Sequence, residues 1–172
     1  MKLNIINLGI TDYSRAFALQ KDLLHKRIKK IIPDTLVVLE HKPVITLGRT
    51  DDETSIIDRG YFDMAGTDVL ETRRGGKITY HAPGQLIIYP IIYIGDNMRD
   101  IGAYIDFLEE TVVRSLRCLN VPAERDGSRR GVWLGGKKIA FIGISVKNWV
   151  TYHGVAVNIN NDIEAFNHID PC

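Results

Sequence analysis

The sequence predicts an α+β fold with a mixed β-sheet flanked by helices. Two helical patterns lie in the first two thirds of the chain, and a run of strands closes it. Between them, LIIYPIIYI at 86–94 is too continuously apolar for a strand with one wet face. Such a run calls for a sheet covered on both sides.

The elements follow in order. Residues 2–8 read as a strand. Residues 12–31 read as a helix, with Phe17, Leu24, Ile28 and Ile31 near one face and Lys26, Lys29 and Lys30 outside it. Short apolar strands at 35–40 and 44–48 are joined by a turn of His41, Lys42 and Pro43. His25 falls on the helix surface. Residues 50–67 are polar and irregular. Pro90 inside the 86–94 strand predicts an edge or a bulge, because proline cannot donate to the ladder. Ile101, Ile105, Leu108, Val112, Leu116 and Leu119 recur at helical spacing over 98–119. Cys118 lies close to that stripe and reads as a small buried hydrophobe. GVWL at 131–134, KKIAFIGISV at 137–146 and TYHGVAVNIN at 151–160 are strands, and Gly135–Gly136 suits a hairpin between the first two.

Composition narrows the class. A chain of 172 residues forms one domain with a full core. With 45% hydrophobic and 25% charged residues it is ordinary for a globular protein. A net charge of +1 gives no global pull toward nucleic acid or membrane. Local basic groups do occur, at Arg73, Arg74 and Lys77 and at Arg129, Arg130, Lys137 and Lys138, and a solvated surface is their common meaning. No stretch is long and apolar enough to span a bilayer. The N-terminus lacks a secretory apolar core and cleavage site, and two cysteines make no disulfide scaffold, so a reducing cytoplasm is expected.

The most informative stretch is RRGGKITYHAPGQ at 73–85. Adjacent glycines let backbone approach a partner closely. A glycine-rich loop carrying Arg, Tyr, Thr, His and Gln beside an apolar strand is where sites are built. A tight hairpin turn would explain the glycines but not the polar side chains.

Two further residues invite chemistry. Lys138 begins an apolar strand, and strict alternation puts it on one face with Ala140 and Ile142 and puts Lys137, Ile139 and Phe141 on the other. An exposed charge protecting the strand is the plainer reading. A partly buried amine that trades protons with a nucleophile is the sharper one. Cys172 closes the chain, and a nucleophilic role needs a cationic or basic neighbour, for which Lys138, His81 and His153 are candidates. A zinc site would draw on His81, His153 and Cys172, but no close ligand pair supports it, and no metal is expected.

RRGGKITYHAPGQL with YPI, then GGKKIAFIGISV, then YHGVAVNIN and the closing DPC resemble the lipoyl(octanoyl) transferases of protein lipoylation. The resemblance is ordered and runs from about residue 35 to the terminus. The interval from Lys138 to Cys172 also fits that family's Lys–Cys pair.

The resemblance implies an α+β fold shared with the biotin and lipoate ligases, and one catalytic domain over 1–172. It implies movement of an octanoyl or lipoyl group from acyl carrier protein to the ε-amine of a lysine, on a lipoyl domain of a 2-oxoacid dehydrogenase or on the glycine-cleavage H protein. Cys172 takes the role of the acyl-thioester cysteine and Lys138 that of the family lysine. The acyl-binding segments fall on Arg74, Gly75, Gly76, Lys77, Ile78, Thr79, Tyr80 and His81, on Phe141, Ile142 and Gly143, and on Gly154, Val155 and Ala156. No cofactor, nucleic acid or membrane is implied, and a monomer is expected. The acyl tunnel is expected to be apolar and to exclude water.

Two departures stand out. Ala82 replaces the middle glycine of the family's HGPGQ. The family also continues past its cysteine, beginning with a glycine, so a C-terminal tail after Cys172 is expected. Three rival readings share parts of the pattern. An ATP-dependent lipoate or octanoate ligase usually carries an SGGG-type loop in place of RRGG. A cysteine thioester hydrolase would pass the acyl group to water. A non-catalytic module would only bind acyl carrier protein.

Overall fold

A computed structural model describes residues 2–96 and 99–171. Its strands and helices, in order, are β1 (Leu3–Thr11), α1 (Tyr13–Ile28), β2 (Asp34–His41), β3 (Val44–Leu47), α2 (Arg59–Met64), β4 (Asp68–Glu71), β5 (Thr79–His81), β6 (Gln85–Ile91), α3 (Ile101–Cys118), β7 (Glu124–Arg125), β8 (Val132–Leu134), β9 (Lys137–Lys147) and β10 (Val150–Asn158). Short 3-10 turns lie at Glu53–Ser55 and Glu164–His168.

Seven strands form one mixed sheet in the order β1-β2-β6-β10-β9-β8-β7, with β1 and β2 parallel and the other neighbours antiparallel. A smaller sheet, β4-β3-β5, carries the loop region. The expected 35–40 and 44–48 strands both form, but they belong to different sheets.

β6 explains why its sequence is so apolar. Ile87, Tyr89 and Ile91 pack with Leu23 and Leu24 of α1, while Leu86 packs with Leu108, Val112 and Val113 of α3. The large sheet is thus covered on both faces, as the apolar run required. Full burial of Ile87 or Ile91 stabilises the fold by roughly 1.5–3 kcal/mol each. Pro90, however, is not on an edge. It pairs opposite Leu36 in the sheet interior. On its other side the regular β10 pairing stops at Val155–Ile88, and His153 takes a φ of +55°. The interruption accommodates the missing donor.

Other sequence expectations shift. The 50–67 stretch contains α2, capped by the Asp58 side chain accepting from Tyr61 N–H. The α3 stripe is rotated: Tyr104, Leu108, Glu109, Val112 and Val113 are buried, whereas Ile101 and Leu119 are exposed. Cys118 is exposed rather than buried, because it lies off that inward face. Ile31 is exposed, since α1 ends at Ile28 and Lys30 turns to positive φ. His41 is not in a turn but fully buried at the end of β2. The Gly135–Gly136 hairpin forms with both residues at positive φ. No helix among the described residues is long and apolar enough to cross a membrane.

Candidate active site

β8 pairs with β9 only as far as Ala140, which leaves the rest of β9 as a free edge. The RRGG loop covers it. Gly75 N–H donates to the Ile144 carbonyl at 2.9 Å, and Ser145 Oγ donates to the Arg73 carbonyl at 2.6 Å. The loop is pinned from behind by the end of β3. A Cβ on Gly48 would lie 1.8 Å from the Gly76 carbonyl oxygen, so the approach requires glycine.

Beneath the loop lies a cavity of about 130 Å³. Of the residues singled out in the sequence, Arg74, Gly76, Lys77, Ile78, Thr79, His81, Lys138, Phe141, Ile142, Gly143, Gly154, Val155 and Ala156 line it. Two do not. Tyr80 alternates to the other side of β5, where it packs against Phe62 and Phe166. Gly75 lines an adjoining cleft instead. Cys172 lies outside the described residues, but Pro171, which precedes it, lines the cavity. Ala82 is buried and has no positive φ, so the extra methyl carries no backbone cost.

Lys138 does not share a face with Ala140 and Ile142. Val132 pairs with Ala140 but Trp133 pairs with Lys138, so β9 holds one extra residue, Ile139, in a bulge. Ala140 is buried in the core on the α3 side, where Ile139 and Ile142 also pack. Lys138 Nζ instead lies 5.0 Å from the Phe141 ring centre and 5.8 Å from that of Trp133. Bulges recur where a side chain must be re-aimed toward a site.

The buried end of the cavity also carries polar groups beside its apolar walls. Tyr13, His81, Tyr89 and His153 line it together with the apolar Ile87. These polar groups are affordable in the core because most are bonded. His41, behind them, meets the Thr11 carbonyl through Nδ1 at 2.9 Å and the Tyr89 hydroxyl through Nε2 at 2.7 Å. A carbonyl can only accept, so Nδ1 carries the proton and Tyr89 donates to Nε2. Arg74, also buried, donates to the Thr46 carbonyl at 2.6 Å and to its hydroxyl. That hydroxyl faces His81 Nε2 at 3.4 Å, and His81 Nδ1 lies 2.6 Å from Gln85 Oε1.

Burial holds all three histidines neutral. It lowers His41 from the ordinary value, and pushes His81 and His153 to about 3, with the Arg74 charge adding to the effect on both. Burial raises Tyr13 and Tyr89. Thr79 Oγ1 and His153 Nε2 are buried with no hydrogen-bond partner among the described residues, which leaves them able to meet a bound molecule. No group of three potential metal ligands occurs among the described residues.

Sequence reasoning passed over Tyr13, Ile87, Tyr89 and Arg130 as lining residues. Tyr13 had no local signal, since it reaches the cavity from the first turn of α1. Arg74 was grouped with surface cations, yet it is 8% exposed. Arg130 is tied by ion pairs to Asp106 and the buried Glu109 of α3.

A mixed sheet flanked by helices is a fold this chain shares with lipoate and biotin protein ligases. Lipoate-protein ligase A bound with ATP aligns with a TM-score of 0.77 at 18% identity, over 100% of this chain and 73% of that one. A biotin protein ligase from Leishmania major aligns at 0.51 and 10% identity, over 99% and 68%. In sequence, an octanoyltransferase of Syntrophobacter fumaroxidans is 39% identical over 172 residues, 99% of this chain and 75% of the relative. The family model of the lipoyl protein ligase A/B catalytic domain matches residues 12–170, and the chain belongs to that family.

Proposed function

We propose that this protein is an octanoyltransferase. It moves an octanoyl or lipoyl group from acyl carrier protein to the ε-amine of a lysine on a lipoyl domain or on the glycine-cleavage H protein, through a thioester on Cys172. It does so as a cytoplasmic monomer without metal or cofactor. The observation that carries the reading is one largely apolar pocket shared by Lys138, the glycine loop and Pro171, the neighbour of Cys172. The octanoyltransferase names of relatives such as that of S. fumaroxidans support the acyl group and the reaction.

The chemistry divides one transfer into two steps. The Cys172 thiolate attacks the carrier's thioester carbonyl, the new S–C bond forms as the carrier's C–S bond breaks, and the carrier thiolate leaves as a thiol after taking the proton of the Lys138 ammonium. The acceptor amine then attacks the enzyme thioester. An amide forms, the amine's proton passes to Lys138, neutral since the first step, and Cys172 is released as the thiolate, so the ammonium–thiolate pair is restored. The Lys138 ammonium favours the Cys172 thiolate by charge. Ile142, Val155 and Phe141 give the acyl chain apolar walls, and backbone donors of the glycine loop are suited to a developing oxyanion. Exposed cations such as Arg49 and Lys77 suit acidic carrier and lipoyl domains.

The test is the acyl-enzyme itself. Cys172→Ala is expected to keep the fold and to abolish both acylation and transfer. Near-normal transfer by a well-folded Cys172→Ala protein would replace the covalent route with direct transfer.

A further inference from the structure

A second cleft, of about 540 Å³, adjoins the candidate acyl pocket and shares Gly76, Arg130, Ile142 and Gly143 with it. Its size lies within the range of about 300–1,000 Å³ usual for small-ligand sites. Ile101, Ile105, Ile144 and Val146 give it an apolar floor between α3 and the free edge of β9. Arg49 and Arg73 stand on it, both exposed. Their backbones are neighbours, because Arg49 N–H donates to the Arg74 carbonyl at 2.9 Å.

The two guanidiniums differ from half of the twelve arginines of this chain. Arg27, Arg59, Arg114, Arg125, Arg129 and Arg130 all sit in ion pairs with carboxylates. The side chains of Arg49 and Arg73 make no ion pair or hydrogen bond among the described residues. A pair of uncommitted guanidiniums over an apolar floor suits a ligand with a phosphate at one end and a thin body whose methyl and methylene groups can lie on that floor. The two cavities meet at Gly76 and Gly143, which line both, and the strap lies close there, since a Cβ on Gly143 would sit 3.0 Å from the Gly75 carbonyl oxygen.

We propose that this cleft seats the phosphopantetheine arm of the octanoyl donor, with its phosphate between Arg49 and Arg73 and its thioester end passing Gly76 and Gly143 into the Lys138 pocket. The assignment rests on the transfer reading above. The sulfur at the tip of the arm is the leaving group of the first step, so an arm held this way delivers the octanoyl chain into the acyl pocket and withdraws along the cleft as a thiol.

The experiment compares the octanoyl thioesters of phosphopantetheine, of pantetheine and of N-acetylcysteamine as donors. The readout is the rate of acyl-enzyme formation by intact-protein mass. The wild-type protein is expected to use the phosphorylated donor about tenfold or more better than the dephosphorylated one, the scale of a charge-assisted pair. In Arg49→Ala/Arg73→Ala, checked for folding by its thermal melt, that preference is expected to vanish. Ile105→Glu, which sets a carboxylate on the apolar floor, is expected to penalise both pantetheine donors more than the short thioester. Equal use of the two pantetheine donors by the wild type, or a phosphate preference that survives in the double variant, overturns the proposal. So does calorimetric binding of ATP that depends on Arg49 and Arg73 where phosphopantetheine shows none, since the cleft would then be a nucleotide site. Acylation by N-acetylcysteamine thioester without any phosphate preference removes only the cleft assignment. Failure of all three donors removes the transfer reading and this assignment with it.

Discussion

Lys138 Nζ hangs 5.0 Å from the centre of the Phe141 ring, three residues farther along the same strand. Strict alternation would put residues three apart on opposite faces. The Ile139 bulge brings them together and turns the amine away from Ala140 and the α3 core. A re-aimed lysine is the candidate proton acceptor for the second step.

Lys138→Arg is therefore expected to separate the two steps. Arginine keeps the positive charge but stays protonated at any workable pH. Acylation by octanoyl carrier protein should persist, while transfer to the lipoyl domain falls by about a hundredfold or more, the usual weight of a general base. Acyl-enzyme build-up and acceptor modification, followed in one sample, check this. Wild-type rates for both steps would reduce Lys138 to a charge and make another group the base.

The buried histidines make a prediction about acid. His81 and His153 sit at about 3 and His41 is lowered, against an ordinary value of 6.5. An unfolded chain therefore binds protons below pH 6.5 that the native protein refuses. Stability is full above about pH 6.5 and is lost as pH falls from there toward 3. His81 and His153 each contribute a slope of about 1.4 kcal/mol per pH unit in that window. Between pH 7 and 5 the loss should reach roughly 2 kcal/mol for each of these two, measured by urea unfolding, and His153→Gln should reduce it. A stability that does not change over that range would mean that these histidines are not buried neutral.

Arg74 should matter for folding as well as for binding. It holds the Thr46 carbonyl and hydroxyl from a buried position. Arg74→Met leaves those acceptors without a donor, and a loss of about 2 kcal/mol or more is expected. Urea midpoints measure it, and a change below about 0.5 kcal/mol would show that the loop is held by its backbone contacts alone.

Pocket size should set acyl length. Ile142 lines the cavity and is only partly buried, so a larger side chain can be placed there. Ile142→Phe should shift the preference from octanoyl toward shorter chains, with about 0.8 kcal/mol lost for each methylene no longer buried. Competition between hexanoyl and octanoyl donors reads the shift. An unchanged preference would place the acyl chain elsewhere.

Much of this was legible in the sequence because local patterns carried it. The apolar β6 run announced a sheet covered on both faces, and Gly135–Gly136 announced its hairpin. The loop motif led to most of the cavity wall. What failed depended on distant partners. Arg74 looked like a surface cation because only the fold brings Thr46 beneath it. His41 looked like a turn residue because Tyr89 and Thr11 are far away in sequence. The bulge that re-aims Lys138 is set by the pairing of β8 with β9, and period-two alternation has no term for an inserted residue. Tyr80 was carried into the site with its neighbours, although strand alternation sends it the other way.

The most direct measurement mixes the protein with octanoyl acyl carrier protein and an apo lipoyl domain, without ATP, and follows the intact masses of all three. The account predicts that the enzyme first gains one octanoyl group, removable by hydroxylamine and absent in Cys172→Ala, and that the lipoyl domain then gains a hydroxylamine-resistant one. Modification that requires ATP and free octanoate, or octanoate released to water with no mark on the lipoyl domain, would contradict it.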